Sequence, residues 1–390
     1  MSNSFETTIQ NIGVDISKDH FHVVLSLANS KQLIKVKASR KFRNDGTGFQ
    51  QFEKWIDSKC ERDVDLRILM EATGIYYEQL AWFLHQKGFH ISVILPTKAK
   101  RYLQAIGNKS KNDKIDAKGL AQMGLEQRLP EWKPLSSNIY RLRLLTRQLE
   151  DFHKQRTAFL NQLHALQYSA YQVSEVEKSL KKMIKELEKG ISQLEKAISS
   201  CIDQDDLLKS KVEKITSIKG VGMKTAAVII SETNGFANFE NQAQLVSYAG
   251  YDVVENQSGQ KSGRTKISKK GNAHIRRALH LPAFGVVKNG VIPFKAQHQR
   301  LLDRDKTKMQ AYVAVQRKLL ILIWALWRKD EPYDLNFSQQ VKTTSSNEEP
   351  KPLFSLGSEG DRYKVAPDDT RATQDGLPCN VSPEALFSLK

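Results

Sequence analysis

The sequence predicts an α/β domain, then two long helices, then a mainly helical domain. Three observations support this order: closely spaced segments with alternating apolar residues near the start, strand-like and helix-like segments that alternate after them, and apolar residues at helical spacing within 138–199. Pro130 and Pro134 mark the end of the first part. The expected boundaries are 1–133 for the α/β domain, 134–212 for the linking helices, 213–332 for the helical domain and 333–390 for a tail.

The first part contains five strand-like segments. Three of them, "NIGVDIS", "HFHVVLSLA" and "KQLIKVKAS", follow one another closely, as in an antiparallel meander. The other two, "LRILMEAT" and "FHISVILP", alternate with helices: "GTGFQQFEKWIDSK", "YYEQLAWFLHQKG", and a last helix from Asn112. An antiparallel start followed by parallel strands with helical crossovers is the pattern of the RNase H-like (RuvC-like) fold.

The middle of the chain has two amphipathic stretches. Leucine, isoleucine, phenylalanine and related residues recur every three, four or seven positions in 142–166 and again in 176–198. This spacing predicts two long helices that form an antiparallel coiled coil. We interpret the pair as a spacer or a dimerisation arm rather than as a catalytic element.

The third part begins with a helix-hairpin-helix-like segment, "ITSIKGVGMKTAAVIISET". Gly220 and Gly222 leave backbone N–H groups open to a phosphate at the start of the second helix. An ordinary tight turn between helices explains the same residues, and the sequence leaves both explanations open. A further helix, from Lys308 to Trp327, places Trp324 and Trp327 in the core. Beyond Pro332 the sequence loses periodicity and gains Ser, Pro and acidic residues, which predicts a disordered tail.

The chain is strongly basic, since 60 Lys and Arg residues against 43 Asp and Glu residues give a net charge of +17. A body this basic predicts a polyanionic partner, nucleic acid first. The rival partner, a membrane, is disfavoured because we find no apolar run of the roughly 18 residues that a spanning helix needs. A basic, Ser- and Gly-rich stretch at 255–279 favours phosphate-backbone binding over a merely solvated surface. Its predicted contacts are Lys261, Arg264, Lys266, Lys269, Lys270, Arg276 and Arg277.

Three cysteines, Cys60, Cys201 and Cys379, lie far apart and outside any CxxC motif. This spacing argues against a zinc finger or a disulfide framework and favours a reducing cytoplasm. We see no N-terminal signal segment, because the first residues are polar and then strand-like.

Four acidic residues fall at special places in the predicted fold. Asp15 ends the first strand and Glu71 ends the fourth, and these strands are neighbours in an RNase H-like sheet. Asp113 and Asp116 share one face at the start of the last helix. Single acids at such places are often structural, but four that converge repel one another unless divalent cations lie between them. Oxygen ligands suit Mg²⁺ or Mn²⁺, and two such ions about 4 Å apart can hold a phosphodiester.

These motifs resemble the DEDD transposases of bacterial insertion sequences, which are related to the Piv DNA invertase. The likeness rests on "IGVDISKDHF", "MEATGIY" and "NKSKNDKIDAKGLA" around the four acids, and on "IKGVGMKTAAVIISE", "LVSYAGYDVVENQSG" and "KISKKGNAHIRRALHLPA" further on. It covers about residues 9–330. The resemblance implies donor and target DNA as substrates, a guide ("bridge") RNA, a dimer or tetramer of this chain, and a cytoplasmic, nucleoid-associated bacterial protein.

The resemblance also implies a serine nucleophile. In the family, a serine of the C-terminal domain is thought to attack the phosphodiester beside the DEDD site of a partner subunit. The matching residue here is Ser258, with Ser262 and Ser268 nearby. A phosphoserine link conserves bond energy and allows the strands to be rejoined without ATP.

Two other functions use the same residues differently. A RuvC-like nuclease or junction resolvase would use the four acids with water as nucleophile. A non-catalytic nucleic-acid-binding scaffold would need neither the acids nor the serine. A covalent protein–DNA adduct distinguishes the recombinase from both.

Overall fold

The structure is a computed structural model that describes residues 6–107, 112–255, 257–258, 261–263 and 265–334. For residues 257, 258, 261 and 262 it describes the backbone. Met1–Tyr333 form one compact unit. Except for its first two residues, the predicted tail at 333–390 lies outside the described residues.

The N-terminal part is a five-stranded mixed sheet in the order β3-β2-β1-β4-β5. The pairs β1/β2 and β2/β3 are antiparallel, whereas β1/β4 and β4/β5 are parallel, which confirms the predicted mixed α/β fold. The elements in chain order are β1 (Thr7–Ile16), β2 (His20–Asn29), β3 (Ile34–Arg43), α1 (Gly46–Lys59), β4 (Leu66–Glu71), α2 (Glu78–Gln86), β5 (His90–Ile94), α3 (Pro96–Ala105) and α4 (Asp113–Glu126).

One helix of this part, α3, is absent from the elements that the sequence predicts. The sequence pattern assigns Pro96 only to the end of the preceding strand, but this residue occupies the first turn of α3. Proline is well accepted there because the first helical N–H groups have no partner within the helix and its φ angle already suits a helix.

Helices cover both faces of the sheet. Ile12, Val14 and Ile16 of β1 belong to the core that also contains Phe52 of α1 and Leu80 of α2. The alternate residues of β1 face α4, where Asn11 donates a hydrogen bond to the carbonyl oxygen of Ala121 at 2.9 Å. Because side chains alternate along β1, one face of the sheet packs against α1 and α2 in an apolar core, and the other face lies close to α4.

The contact between β1 and α4 depends on a glycine. A Cβ atom at Gly13 would lie 2.1 Å from the carbonyl oxygen of Ala117 and 2.1 Å from the backbone nitrogen of Ala121. These are backbone atoms of α4, so no side-chain movement relieves the overlap. Only glycine lets α4 lie this close to the sheet.

We expect Gly13→Ala to destabilise the protein by about 3 kcal/mol, because α4 must move away from β1. The free energy of unfolding, from denaturant titration of the purified protein, measures this effect. Gly46→Ala is the matched control, since nothing lies within 4 Å of a Cβ atom at that position in α1. Equal effects of the two substitutions would contradict the close packing of α4.

Two helices of equal length link the two parts of the compact unit. They are α5 (Ser137–Leu166) and α6 (Ser174–Asp203), which run antiparallel and are joined by a short turn. Leu142 and Leu149, in the first half of α5, and Ile198, near the end of α6, belong to the C-terminal core. Tyr168 and Tyr171 at the connecting turn are 78% and 85% exposed. The predicted long helices are present, and their role as a dimerisation arm remains a prediction.

The C-terminal part is mainly helical, as predicted, and has one large core. Its elements are α7 (Asp206–Thr216), α8 (Met223–Thr233), α9 (Gln242–Ala249), β6 (Val253–Val254), β7 (Gln257–Ser258), β8 (Lys261–Ser262), β9 (Lys266–Ile267), α10 (Ala273–Ala278), α11 (His280–Lys288), α12 (Ile292–Leu302) and α13 (Lys308–Lys329).

The last helix, α13, corrects one expectation from the sequence. By length and composition it is apolar enough to cross a membrane, although we predicted no such segment. Leu319, Ile323 and Trp324 of this helix are buried in the C-terminal core, as expected for Trp324. Burial inside a protein core explains the same composition without a membrane.

Candidate active site

Two of the four predicted acids lie side by side at one edge of the sheet. Val14 of β1 pairs with Met70 of β4 in a parallel register, so Asp15 and Glu71 follow at the same level. In a parallel pair, residues at the same level point to the same face. For Asp15 this is the face of Gly13, which α4 covers.

The first turn of α4 reaches the same edge. Asn112 caps the helix, because its side-chain oxygen accepts a hydrogen bond from the backbone N–H of Ile115 at 2.8 Å. One stripe of α4 follows β1: Gly124 lies against Asn11, and Ala117 lies against Gly13. Asp113 is one turn further along this stripe, at the level of Asp15.

The fourth acid follows a second stripe of α4. Leu120 and Met123 pack with Leu69 of β4 in a small separate core. Asp116 precedes Leu120 by one turn, and Glu71 follows Leu69 by two residues on the same face of its strand. The backbone therefore carries all four acids to one edge and one face of the sheet.

The four carboxylates do not form a complete ligand group in the part of the chain that the structure describes. In the ranges that the structure describes, no three His, Cys, Asp or Glu side chains are placed to hold a metal ion. The chemistry of the residues nevertheless fits divalent cations, since four carboxylates on one face supply the oxygen ligands that Mg²⁺ and Mn²⁺ prefer.

A histidine that the sequence motifs do not include lies beside these acids. His22 of β2 pairs with Asp15 across the antiparallel ladder. Burial lowers its pKa, the negative charge of Asp113 opposes this, and the positive charges of Lys41 and Lys114 lower it further. Burial of His22 therefore favours the neutral imidazole. The strand pairing predicted between "NIGVDIS" and "HFHVVLSLA" could have pointed to this neighbour.

The predicted serine lies in a narrow β-hairpin. At the base of the hairpin, β6 pairs with β9 through Val253–Ile267 and Val254–Lys266. Beyond them, Gln257 pairs with Ser262 and Ser258 pairs with Lys261. Ser258 is therefore the last strand residue before the turn of this hairpin, which we call the serine hairpin (residues 253–267).

The alternative serine at the base of the hairpin has structural contacts. The hydroxyl of Ser268 lies 3.4 Å from a carboxylate oxygen of Asp252 and accepts a hydrogen bond from the N–H of Lys270 at 3.2 Å. These contacts tie Ser268 to the root of the serine hairpin.

The predicted nucleic-acid contacts differ in what they touch. Arg276 donates to the carbonyl oxygen of Ala249 at 2.7 Å, and Arg277 forms an ion pair with Glu150, so both arginines have structural partners. Lys266, Lys269 and Lys270 are exposed. Arg264 and the side chain of Lys261 lie outside the described residues.

The two glycines of the predicted helix-hairpin-helix segment also differ. Gly220 has a φ angle of +104°, and a Cβ atom there would lie 2.9 Å from backbone atoms of Gly285 and Val286 in α11. Close helix packing therefore explains Gly220. Gly222 is the N-cap residue of α8 and has open space around it, so phosphate contact at this position remains a prediction.

Comparison with known families assigns the chain. A DEDD transposase family model of the IS110 type matches residues 12–171, and the model of the transposase IS116/IS110/IS902 family matches residues 212–299. The chain belongs to the IS110 family of transposases. It is therefore a DNA recombination enzyme. The first matched range contains all four acids, and the second contains the serine hairpin and α10.

Curated relatives of this transposase cover most of its length. The pilin gene-inverting protein of Moraxella bovis is 29% identical over 325 residues, which is 83% of this chain and 97% of that protein. The transposase for insertion sequence element IS1111A of Coxiella burnetii is 24% identical over 353 residues, 83% of this chain and 91% of that protein. Among solved structures, Thermus thermophilus RuvC aligns with 32% of this transposase and 100% of its own chain, at 9% identity and a TM-score of 0.25.

Proposed function

We propose that this chain is the transposase, or site-specific recombinase, of an insertion sequence, and that it cuts and rejoins DNA through a serine–phosphate intermediate. The observation that carries the proposal is the parallel pairing of β1 with β4, which sets Asp15 and Glu71 at the same level, in a chain of the IS110 family. The first turn of α4, which packs against β1, carries Asp113 and Asp116. Donor and target DNA are the substrates.

The four carboxylates would hold Mg²⁺, or Mn²⁺ in its place. When bound, such ions act as Lewis acids on the phosphate oxygens and stabilise the charge that develops in the transition state. The positive charges of Lys41 and Lys114 lie near the same edge and favour an approaching phosphate. His22 lies close to the site, opposite Asp15 in the neighbouring strand.

The bonds that form and break in the covalent step belong to Ser258 and the DNA strand. The Ser258 oxygen bonds to phosphorus, and the bond from phosphorus to the leaving strand's oxygen breaks. The leaving oxygen takes up a proton, and the serine releases its own proton to a base or to water. Reversal with a different strand end rejoins the DNA, because the phosphoserine ester retains the energy of the broken bond.

A guide RNA and a homo-oligomer complete the proposal. Both follow from the family resemblance, and the exposed basic strand β3 supports the first, because Lys35, Lys37 and Lys41 can contact an RNA backbone. The serine of one subunit would act beside the carboxylates of another, in a dimer or tetramer. This recombinase would work on the nucleoid in the bacterial cytoplasm.

A recombination assay tests the proposed function. The protein is purified with its bound nucleic acid, the nucleic acid is sequenced, and the protein is incubated with the matching donor and target DNA in Mg²⁺. We expect joined donor–target products that EDTA prevents. Cut but never rejoined DNA would instead support a water-using nuclease, and binding without any cut would support a scaffold.

DNA binding should weaken steeply with salt, because lysine–phosphate contacts release counterions. We expect the combined change of Lys266, Lys269 and Lys270 to glutamine to reduce the slope of log affinity against log salt by about 0.9 for each phosphate that is no longer neutralised. Binding titrations at several salt concentrations measure the slope. The same change at Lys178, Lys182 and Lys185 of α6, also exposed, is the charge-matched control. A larger effect of the control set would place the DNA elsewhere.

A further inference from the structure

We propose that Glu232 is a positioning residue for the serine hairpin, and that with Arg147 and Asn272 it sets the direction in which Ser258 is presented. This inference rests on the proposed role of Ser258. Glu232 lies in the last turn of α8, far from the four carboxylates in sequence, and it is not among the predicted site residues. Its importance follows from where its side chain lies.

The carboxylate of Glu232 joins helices from different parts of the chain. Arg147 of α5 donates to both of its oxygens, Nε to Oε1 at 2.7 Å and a second guanidinium nitrogen to Oε2 at 2.9 Å. Asn272, which caps α10, donates to Oε2 at 2.7 Å. The backbone oxygen of Glu232 accepts from the hydroxyl of Tyr248 in α9 at 3.0 Å.

This junction is buried and charged. The side chain of Glu232 is 1% exposed. Burial alone would raise its pKa, but the hydrogen bonds from Arg147 and Asn272 and the nearby arginine charges outweigh burial and hold the pKa below its ordinary value. Arg143 adds a second tie between the same helices, since it donates twice to the carbonyl oxygen of Ser231. Neutralising Arg147 would leave Glu232 with an uncompensated buried charge, whereas the side chain of Arg147 is itself 44% exposed.

Two partners of Glu232 form the root of the serine hairpin. The N–H of Asn272 donates to the carbonyl oxygen of Tyr248 at 2.7 Å, which brings the two ends of the loop together. From there a ladder of backbone hydrogen bonds continues: Lys269 N–H to Gly250 oxygen at 3.1 Å and Ser268 N–H to Asp252 oxygen at 2.8 Å. The strand pairs of the hairpin follow directly.

The hairpin therefore acts as a lever whose root is held by Glu232. Ser258 follows Gly250 by eight residues, and a chain of that length spans at most roughly 26 Å at strand spacing. A tilt of about 5° at the root displaces Ser258 by roughly 2 Å over this length. A displacement of about 1 Å can lower the rate of a reaction that depends on alignment by about 10²-fold. Small changes at Glu232 should thus affect chemistry more than binding.

An exchange of the two interacting groups tests this role. Glu232→Gln removes the charge, and Asn272→Asp places two carboxylates together. The double variant restores an amide–carboxylate pair with the groups exchanged, and the introduced aspartate can still cap α10. We expect each single variant to form the covalent protein–DNA adduct about 10²-fold more slowly, the double variant to recover most of the rate, and DNA affinity to change little.

Hydrogen exchange provides a readout that does not depend on catalysis. In the single variants, the amides of Ser268, Lys269 and Asn272 should exchange faster, whereas those of α13 should not. Glu188→Gln is the control, because it removes an ion pair between α5 and α6 with Arg156 at an exposed site. Unchanged exchange at the hairpin root, or an undiminished adduct rate, would overturn the positioning role. If the unmodified protein forms no adduct, the proposed function fails, and hydrogen exchange still decides whether Glu232 anchors the hairpin.

Discussion

Asp15→Ala should abolish strand cutting in Mg²⁺ while leaving the fold intact. Asp15 lies between β2 and β4 at the sheet edge, next to Glu71 and at the level of Asp113. Removing a central ligand weakens the binding of any ion that also touches the phosphate. We expect a loss of about 4 kcal/mol of transition-state stabilisation, which is roughly 10³-fold in rate.

Cutting of labelled DNA under single-turnover conditions measures this effect. Asp63→Ala is the matched control, since Asp63 is an exposed acid in the loop before β4, at the opposite end of the same strand from Glu71. The control should cut at the normal rate. Equal thermal stability of the two variants would show that Asp15 acts on the reaction rather than on the fold. Normal activity of Asp15→Ala would eliminate the metal-site proposal.

Ser258→Ala should form no covalent protein–DNA adduct and should still bind DNA. Ser258 is a strand residue of the serine hairpin, and its backbone pairs with that of Lys261. A tethered hydroxyl gains from its high effective concentration and from alignment with the leaving group, and water needs no such hairpin. We expect the adduct to fall below detection, at least about 10³-fold.

Denaturing a reaction in progress traps the adduct, and proteolysis with mass spectrometry locates it. Ser262→Ala and Ser268→Ala are controls in the same segment. Ser262 lies on the opposite strand, and Ser268 serves the root of the hairpin through Asp252. An adduct on Ser262 would support the serine mechanism and would identify Ser262, not Ser258, as the nucleophile. Cut DNA without any adduct would make water the nucleophile and the protein a nuclease.

Local patterns in the sequence were sufficient to predict the strands and helices of the N-terminal domain, except α3. Strand alternation placed Asp15 and Glu71 near the ends of their strands, and helical spacing placed Asp113 and Asp116 in one turn. These features depend on the side-chain periods of strands (two residues) and helices (3.6 residues), and both periods can be recognised in a sequence without knowing the fold. Helix α3 was missed because Pro96 signals the end of a strand and the start of a helix equally well.

Other features depend on residues that are distant in sequence. In the sequence, Gly13 is an ordinary glycine within a strand. The structure shows that it lies against Ala117 and Ala121 of α4. In the sequence, Arg276 and Arg277 look like unpaired cations. In the structure, Arg276 contacts Ala249 of α9, and Arg277 contacts Glu150 of α5. A charge run in the sequence does not reveal which charges are already paired.

The sequence by itself determined the mixed sheet, the basic character of the chain and, apart from α3, the order of the strands and helices in the N-terminal part. It also predicted four acids at one edge of that sheet. Only the tertiary structure decided that Glu232 joins Arg147 of α5 to Asn272 of α10. It also set the register that places His22 opposite Asp15, within a strand pair that the sequence predicted. The physical reason is that local periodicity acts over a few residues, whereas burial and charge pairing depend on which surfaces meet when helices and sheet pack together. A buried carboxylate such as Glu232 acquires its function from partners 85 and 40 residues away.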